Sequence, residues 1–133
     1  MSGIFLKDIE EIEQIIISGK YSEALAKIDS LINRKEISME EKIKCKIFKY
    51  QIYSETAKYS KAIQYGDEAF EESQKLDNKL LMFDSLRHTP YVYFLAGEYE
   101  LRKEKIKLAG QILDSYEDKE SLFPIKHCLA LIL

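Results

Sequence analysis

Proline and glycine are scarce in this chain. Two prolines and five glycines occur in 133 residues, too few for a Gly/Pro-rich linker, a collagenous stretch or the many tight turns of an all-β domain. Strand-like alternation is scarce too. Cysteine is limited to Cys45 and Cys128. Two thiols make no disulfide framework, and neither sits in a paired metal-ligand spacing. No run approaches the roughly 18–20 apolar residues of a membrane span. The opening "MSGIFLKDIEE" has an apolar run too short for a signal peptide, with acid following at once. Lysine greatly outnumbers arginine and the net charge is −3, which speaks against a general grip on nucleic acid and against bidentate phosphate recognition. These absences predict a reduced, cytoplasmic setting with neither nucleic acid nor membrane as partner.

Chemistry is equally thin. There is no Gly-rich phosphate loop, paired-Cys zinc site or nucleophile elbow. His88 and His127 are the only histidines. His127 and Cys128 are neighbours, about 100° apart on a helix, so they do not face each other as base and nucleophile. The acidic pairs Glu10-Glu11, Glu40-Glu41 and Glu71-Glu72 read as solvated helix faces. The expectation is no catalytic residue, no metal, no cofactor and no enzyme activity.

What is present is helical periodicity. Apolar residues make up 46% and charged residues 32% of the chain, a balance that suits one domain, 1–133, with a real core. In "IFLKDIEEIEQIII", Phe5, Ile9, Ile12 and Ile16 fall at helical steps, and Gly19 ends that helix. Ser22 is placed to cap a second helix, about 23–33, with Ala24, Ile28, Leu31 and Ile32 inward. Ser38-Met39-Glu40-Glu41 is a capping-box pattern opening a third. That helix has two apolar sides, Ile43, Ile47, Tyr50 and Ala57 against Cys45, Phe48 and Ile52, as a middle element of a stack requires. Ser60 is placed to cap a fourth, whose stripe Ala62, Gly66, Ala69 and Ser73 is small enough for close helix approach. A fifth is expected over about 80–96, interrupted by Pro90. A sixth spans about 100–116, and a seventh enters through Pro124.

One phrase recurs. "KYSEAL" at 20–25 returns as "KYSKAI" at 58–63 and more weakly as "GEYELR" at 97–102. Tyr21 and Tyr59 are 38 residues apart, and Tyr59 and Tyr99 are 40 apart, the spacing of a helix–turn–helix unit. The tyrosine is expected to plug the two helices of each hairpin, and the small residue three positions later lets them touch.

"SGKYSEALAKIDSL" resembles the turn and second helix of the tetratricopeptide repeat (TPR). Gly19, Tyr21, Ala24, Ile28 and Leu31 fall on its signature positions; Ala57, Tyr59, Ala62 and Ala69 follow in the second copy, and Gly97, Tyr99, Ile106 and Ala109 in the third. Gly66 stands where a larger residue is usual, Arg102 replaces a small one, and Lys46 and Lys49 fall where large apolar residues are expected. The likeness covers about 4–116, with a period longer than the usual ~34 residues, similar to arrays of the kinesin light chain type and of bacterial and archaeal regulators. It implies antiparallel hairpins at about 4–33, 38–76 and 80–116 with a last helix at 121–133, stacked as a right-handed solenoid of about seven helices. Its implied function is a scaffold that binds a protein or peptide in a concave groove.

Three groups compete for that groove. Lys42, Lys46 and Lys49 with Tyr53 form one stripe of the third helix; Lys44, Gln51 and Glu55 form another. Either one, lining a groove, would receive an acidic segment. In the fifth helix, Asp84, Arg87, Tyr91 and Phe94 lie within about 80° of one another, and the resemblance puts them on the concave side. Aromatics with arginine suit binding hot spots, but the aromatic residues equally suit a core around a kink. Two other readings stay open: a regulatory or sensor domain whose groove holds an effector, and self-association through 121–133, where the apolar ending "CLALIL" implies either truncation within a longer array or docking on another subunit.

Overall fold

The computed structural model describes residues 3–86, 92–93 and 95–115. Among them the secondary structure is entirely helical. The helices are α1 (Gly3–Ile17), α2 (Tyr21–Ile32), α3 (Met39–Glu55), α4 (Tyr59–Lys75), α5 (Lys79–Leu86) and α6 (Tyr99–Ser115), with Val92, Tyr93 and Leu95 also helical. The expected kink at Pro90 and the last helix at 121–133 lie outside the described residues.

Consecutive helices pack on one another, and α3 also meets α5. The centre is α3, whose two apolar sides do separate work. Cys45, Phe48 and Ile52 join Ile12, Ile16, Ile28 and Leu31 of the first hairpin. On the other side Ile43 and Ile47 meet Ala69 and Leu81, while Tyr50 meets Ala62 and Val92. The small stripe of α4 lets this happen. Tyr50, 1% exposed, lies so close to Gly66 that an added Cβ would stand 3.2 Å from its ring. Ala57 does not share that side. It lies beyond the end of α3, exposed, at φ +61°.

The turns explain the recurring phrase. After α1, Gly19 N–H donates to Ile16 O and Lys20 N–H to Ile15 O; Ala57 and Lys58 repeat the pattern on Ser54 and Tyr53, and Asp77 and Asn78 on Gln74 and Ser73. This is the Schellman closure, which needs a left-handed residue. Gly19, Ala57, Asp77 and Gly97 supply it, with φ of 75°, 61°, 51° and 78°.

The same closure corrects the cap assignment. Neither Ser22 nor Ser60 caps a helix. The chain leaves the Schellman turn already wound, so Lys20 and Lys58 are the N-cap residues, without a side-chain cap bond. Their carbonyls accept from Ala24 and Ala62 N–H, and the serines fall inside the first turn. Ser38, preceded by a longer connection, does cap α3. Glu41 N–H donates to Ser38 Oγ at 3.1 Å, and Ser38 N–H to Glu41 Oε1 at 3.0 Å. Tyr21 and Tyr59 are half-buried plugs, but Tyr99 is 55% exposed; with Arg102 in the small-residue position, the third copy has no tight seat for it.

Candidate functional site

The first helices of the hairpins, α1, α3 and α5, share one open face. At its upper end is a pocket of about 290 Å³ lined by Glu13 and Ile17 of α1, Lys44, Ile47, Phe48 and Gln51 of α3, and Asp84 of α5. Lys44, Gln51 and Asp84 thus line one pocket. Their charges are not idle. Lys44 Nζ donates to Asp84 Oδ2 at 2.5 Å, and it stands 5.2 Å from the Phe48 ring centroid. Arg87, Tyr91 and Phe94 lie outside the described residues, as do His88, His127 and Cys128.

Gln51 also borders a second pocket, about 510 Å³, with Tyr21, Ser54, Glu55, Ala57, Tyr59 and Leu95. The two pockets meet at Gln51, which donates to Glu55 Oε1 at 3.4 Å. Hydrogen bonding to Glu55, and then the charge of that carboxylate, push the Tyr21 phenol above its ordinary pKa.

The rival stripe is spent within the fold. Lys46 Nζ reaches Glu72 at 2.5 Å and Glu68 at 3.5 Å, and Lys49 Nζ reaches Asp29 at 2.7 Å. Burial alone would lower both ammonium pKa values, yet Glu72 and Glu68 beside Lys46, and Asp29 with Tyr65 and Tyr53 beside Lys49, outweigh it and both are raised. Lys49 also stands over the Tyr65 ring at 5.2 Å, and Tyr53 stacks on Tyr65 at 5.7 Å. These lysines join α3 to α2 and α4. Of Lys42, Lys46 and Lys49, only Lys42 is exposed.

Glu13, Ile17, Tyr21, Tyr59 and Leu95 were not singled out from the sequence as groove residues. Ile17 did leave a signal: in the run "III" at 15–17, only Ile16 continues the core step, and Ile17 is 77% exposed. Cys45 offers no chemistry. It is fully buried, and burial pushes its thiol up to about 11, far from a thiolate at neutral pH. Among the described residues, no cluster of three His, Cys, Asp or Glu could hold a metal ion, and no helix is long and apolar enough to cross a membrane.

Comparison of the chain with protein-family models, curated proteins and solved structures gives no match, so the reading of this face rests on its own residues.

Proposed function

We propose that this chain is a protein-interaction scaffold of the cytoplasm, a right-handed TPR-like solenoid that receives a segment of a partner in the groove of α1, α3 and α5. The observation that carries the reading is the convergence on one open pocket of Glu13, Ile17, Lys44, Gln51 and Asp84, from helices far apart in sequence. Ile17, 77% exposed, stands beside this groove with Leu6 and Leu80 also exposed on the first and fifth helices, an apolar grouping of the kind a binding face offers. The recurrent left-handed turns at Gly19, Ala57 and Gly97, and the contact of α3 with α5, support the repeat architecture. No reaction, cofactor or nucleic acid enters the proposal.

The pocket flanked by Tyr21 and Tyr59 favours a second reading, in which the same groove holds a small effector. Affinity capture separates the readings from an inert surface. The intact chain is compared with an Ile17→Ser/Lys44→Ala/Gln51→Ala variant and with a Glu36→Gln/Glu71→Gln control, helicity being checked by circular dichroism. A protein retained by the intact chain and the control but lost by the groove variant supports the scaffold. Retention by all three refutes it.

A further inference from the structure

The groove reading leaves the chemistry of the partner open, and the charges of the face decide it. On α1, Leu6, Glu10, Glu13 and Ile17 lie within about 60° of one another at 100° per residue. All four are exposed, Leu6 by 50%. On α3, Glu40 and Glu55 continue the line of Lys44 and Gln51, and both are exposed. On α5, Leu80 stands one turn before Asp84 and is 47% exposed. The single cation among these described residues, Lys44, is already engaged by Asp84. Glu10, Glu13, Glu40 and Glu55 remain. The described part of the face therefore presents apolar side chains between carboxylates; Arg87, which the sequence sets on the same side of the fifth helix, lies outside the described residues, and one further cation would still stand against four glutamates.

We infer that the groove takes a basic amphipathic segment, its leucine-like side chains against Leu6, Ile17 and Leu80 and its lysines or arginines toward the glutamates. This rests on the groove reading above and reverses the charge that the lysine stripes imply from sequence alone. An acidic segment would meet four carboxylates, while Lys46 and Lys49 are held by Glu68, Glu72 and Asp29 and Lys44 by Asp84. Like-charge juxtaposition rejects such a partner, and complementary charge steers the basic one. From Leu6 to Ile17 the face runs about 16 Å at 1.5 Å per residue, three turns of a docked helix.

The test uses three fluorescein-labelled 18-residue peptides with leucine at identical helical positions and lysine, glutamate or serine elsewhere, titrated with the intact chain and read by anisotropy. The lysine peptide is expected to bind, ~10-fold or more tighter than the serine peptide, and to weaken as salt is raised from low to physiological strength. Glu13→Gln/Glu55→Gln should weaken it ~5-fold or more, and Ile17→Ser likewise, whereas Glu36→Gln/Glu71→Gln, with the same change in net charge, should not. Preference for the glutamate peptide, still lost on Ile17→Ser, would overturn the charge assignment and leave the groove reading standing. Binding of no peptide, or binding that both glutamate pairs weaken equally, would overturn the inference and the groove together. A dimer that Ile17→Ser dissociates, with the lysine peptide unbound, would put a second copy of the chain in the groove and overturn the basic partner.

Discussion

Replacing Ala57 by glycine should stabilise the protein. Ala57 closes α3 at φ +61°, the position that Gly19 and Gly97 occupy in the other hairpins. The left-handed conformation costs an L-residue with a Cβ roughly 1–2 kcal/mol. Glycine escapes that cost but loses more freedom on folding, about 0.5–1 kcal/mol relative to alanine. Ala57 is exposed, so removal of its methyl group forfeits little burial. The balance favours Ala57→Gly by about 0.5–1 kcal/mol, and for a chain of this size that raises Tm by roughly 2–4 °C. Urea unfolding followed at 222 nm supplies the free energy, with an unchanged slope confirming that the unfolded reference is the same. Gly19→Ala is the reciprocal test. No atom lies within 4 Å of an added Cβ there, so its loss of about 1 kcal/mol reports the backbone alone. A midpoint lowered or unmoved by Ala57→Gly would refute the reasoning, because it would mean the closure does not strain alanine.

Gly66→Val should cost about 2–3 kcal/mol in urea unfolding, since new carbon must enter where a Cβ already meets the fully buried Tyr50 ring at 3.2 Å; a neutral result would show that α3 and α4 can separate. The half-buried Lys44–Asp84 pair should couple by about 1 kcal/mol in a Lys44→Met/Asp84→Asn double-mutant cycle, and no coupling would place the pair in open solvent. In a Cys128→Ser background, Cys45 should resist thiol reagents at pH 8 in the native state and react at once in urea; fast native labelling would deny its burial. The raised thiol pKa has a sign for stability as well. Below the ordinary value of 9.0 the thiol is protonated in both states and its contribution is intact; as pH rises from there through about 11, the unfolded chain ionises first and stability falls. Cys45→Ala should flatten that part of the stability–pH curve.

Local signals in this sequence were readable, and long-range ones were not. The capping box at Ser38, the two apolar sides of α3 and the small stripe of α4 each follow from neighbours a few residues apart. The cap assignments at Ser22 and Ser60 failed because a serine looks like a cap in any context, while the Schellman turn before it had already satisfied the first helical bond. The fates of the lysines were illegible for another reason. Lys46 meets Glu72 across 26 residues and Lys44 meets Asp84 across 40. Nothing within one helix distinguishes a lysine that bridges helices from one that faces water. The groove suffered the same limit. Lys44, Gln51 and Asp84 could be placed on helix faces, but Ile17 joins them only when α1 is laid beside α3.

A middle helix of a stack must bury two sides, which leaves its polar residues to two narrow seams. Lysine suits a seam, because its stem covers apolar surface while its ammonium reaches a neighbouring carboxylate. On one side of α3, Lys46 and Lys49 do this, and their partners Glu68, Glu72 and Asp29 are consumed with them. On the other side only Lys44 is spent in this way, on Asp84. The glutamates of α1 and α3 that border the groove are therefore left with Lys44 as the one cation among the described residues that line it. Packing uses up Lys44, Lys46 and Lys49 of α3 and leaves Lys42 exposed, and the same allocation leaves carboxylates in excess among the described residues of the open face. A stack built in this way acquires its preference for a partner from the charges that its own seams do not use.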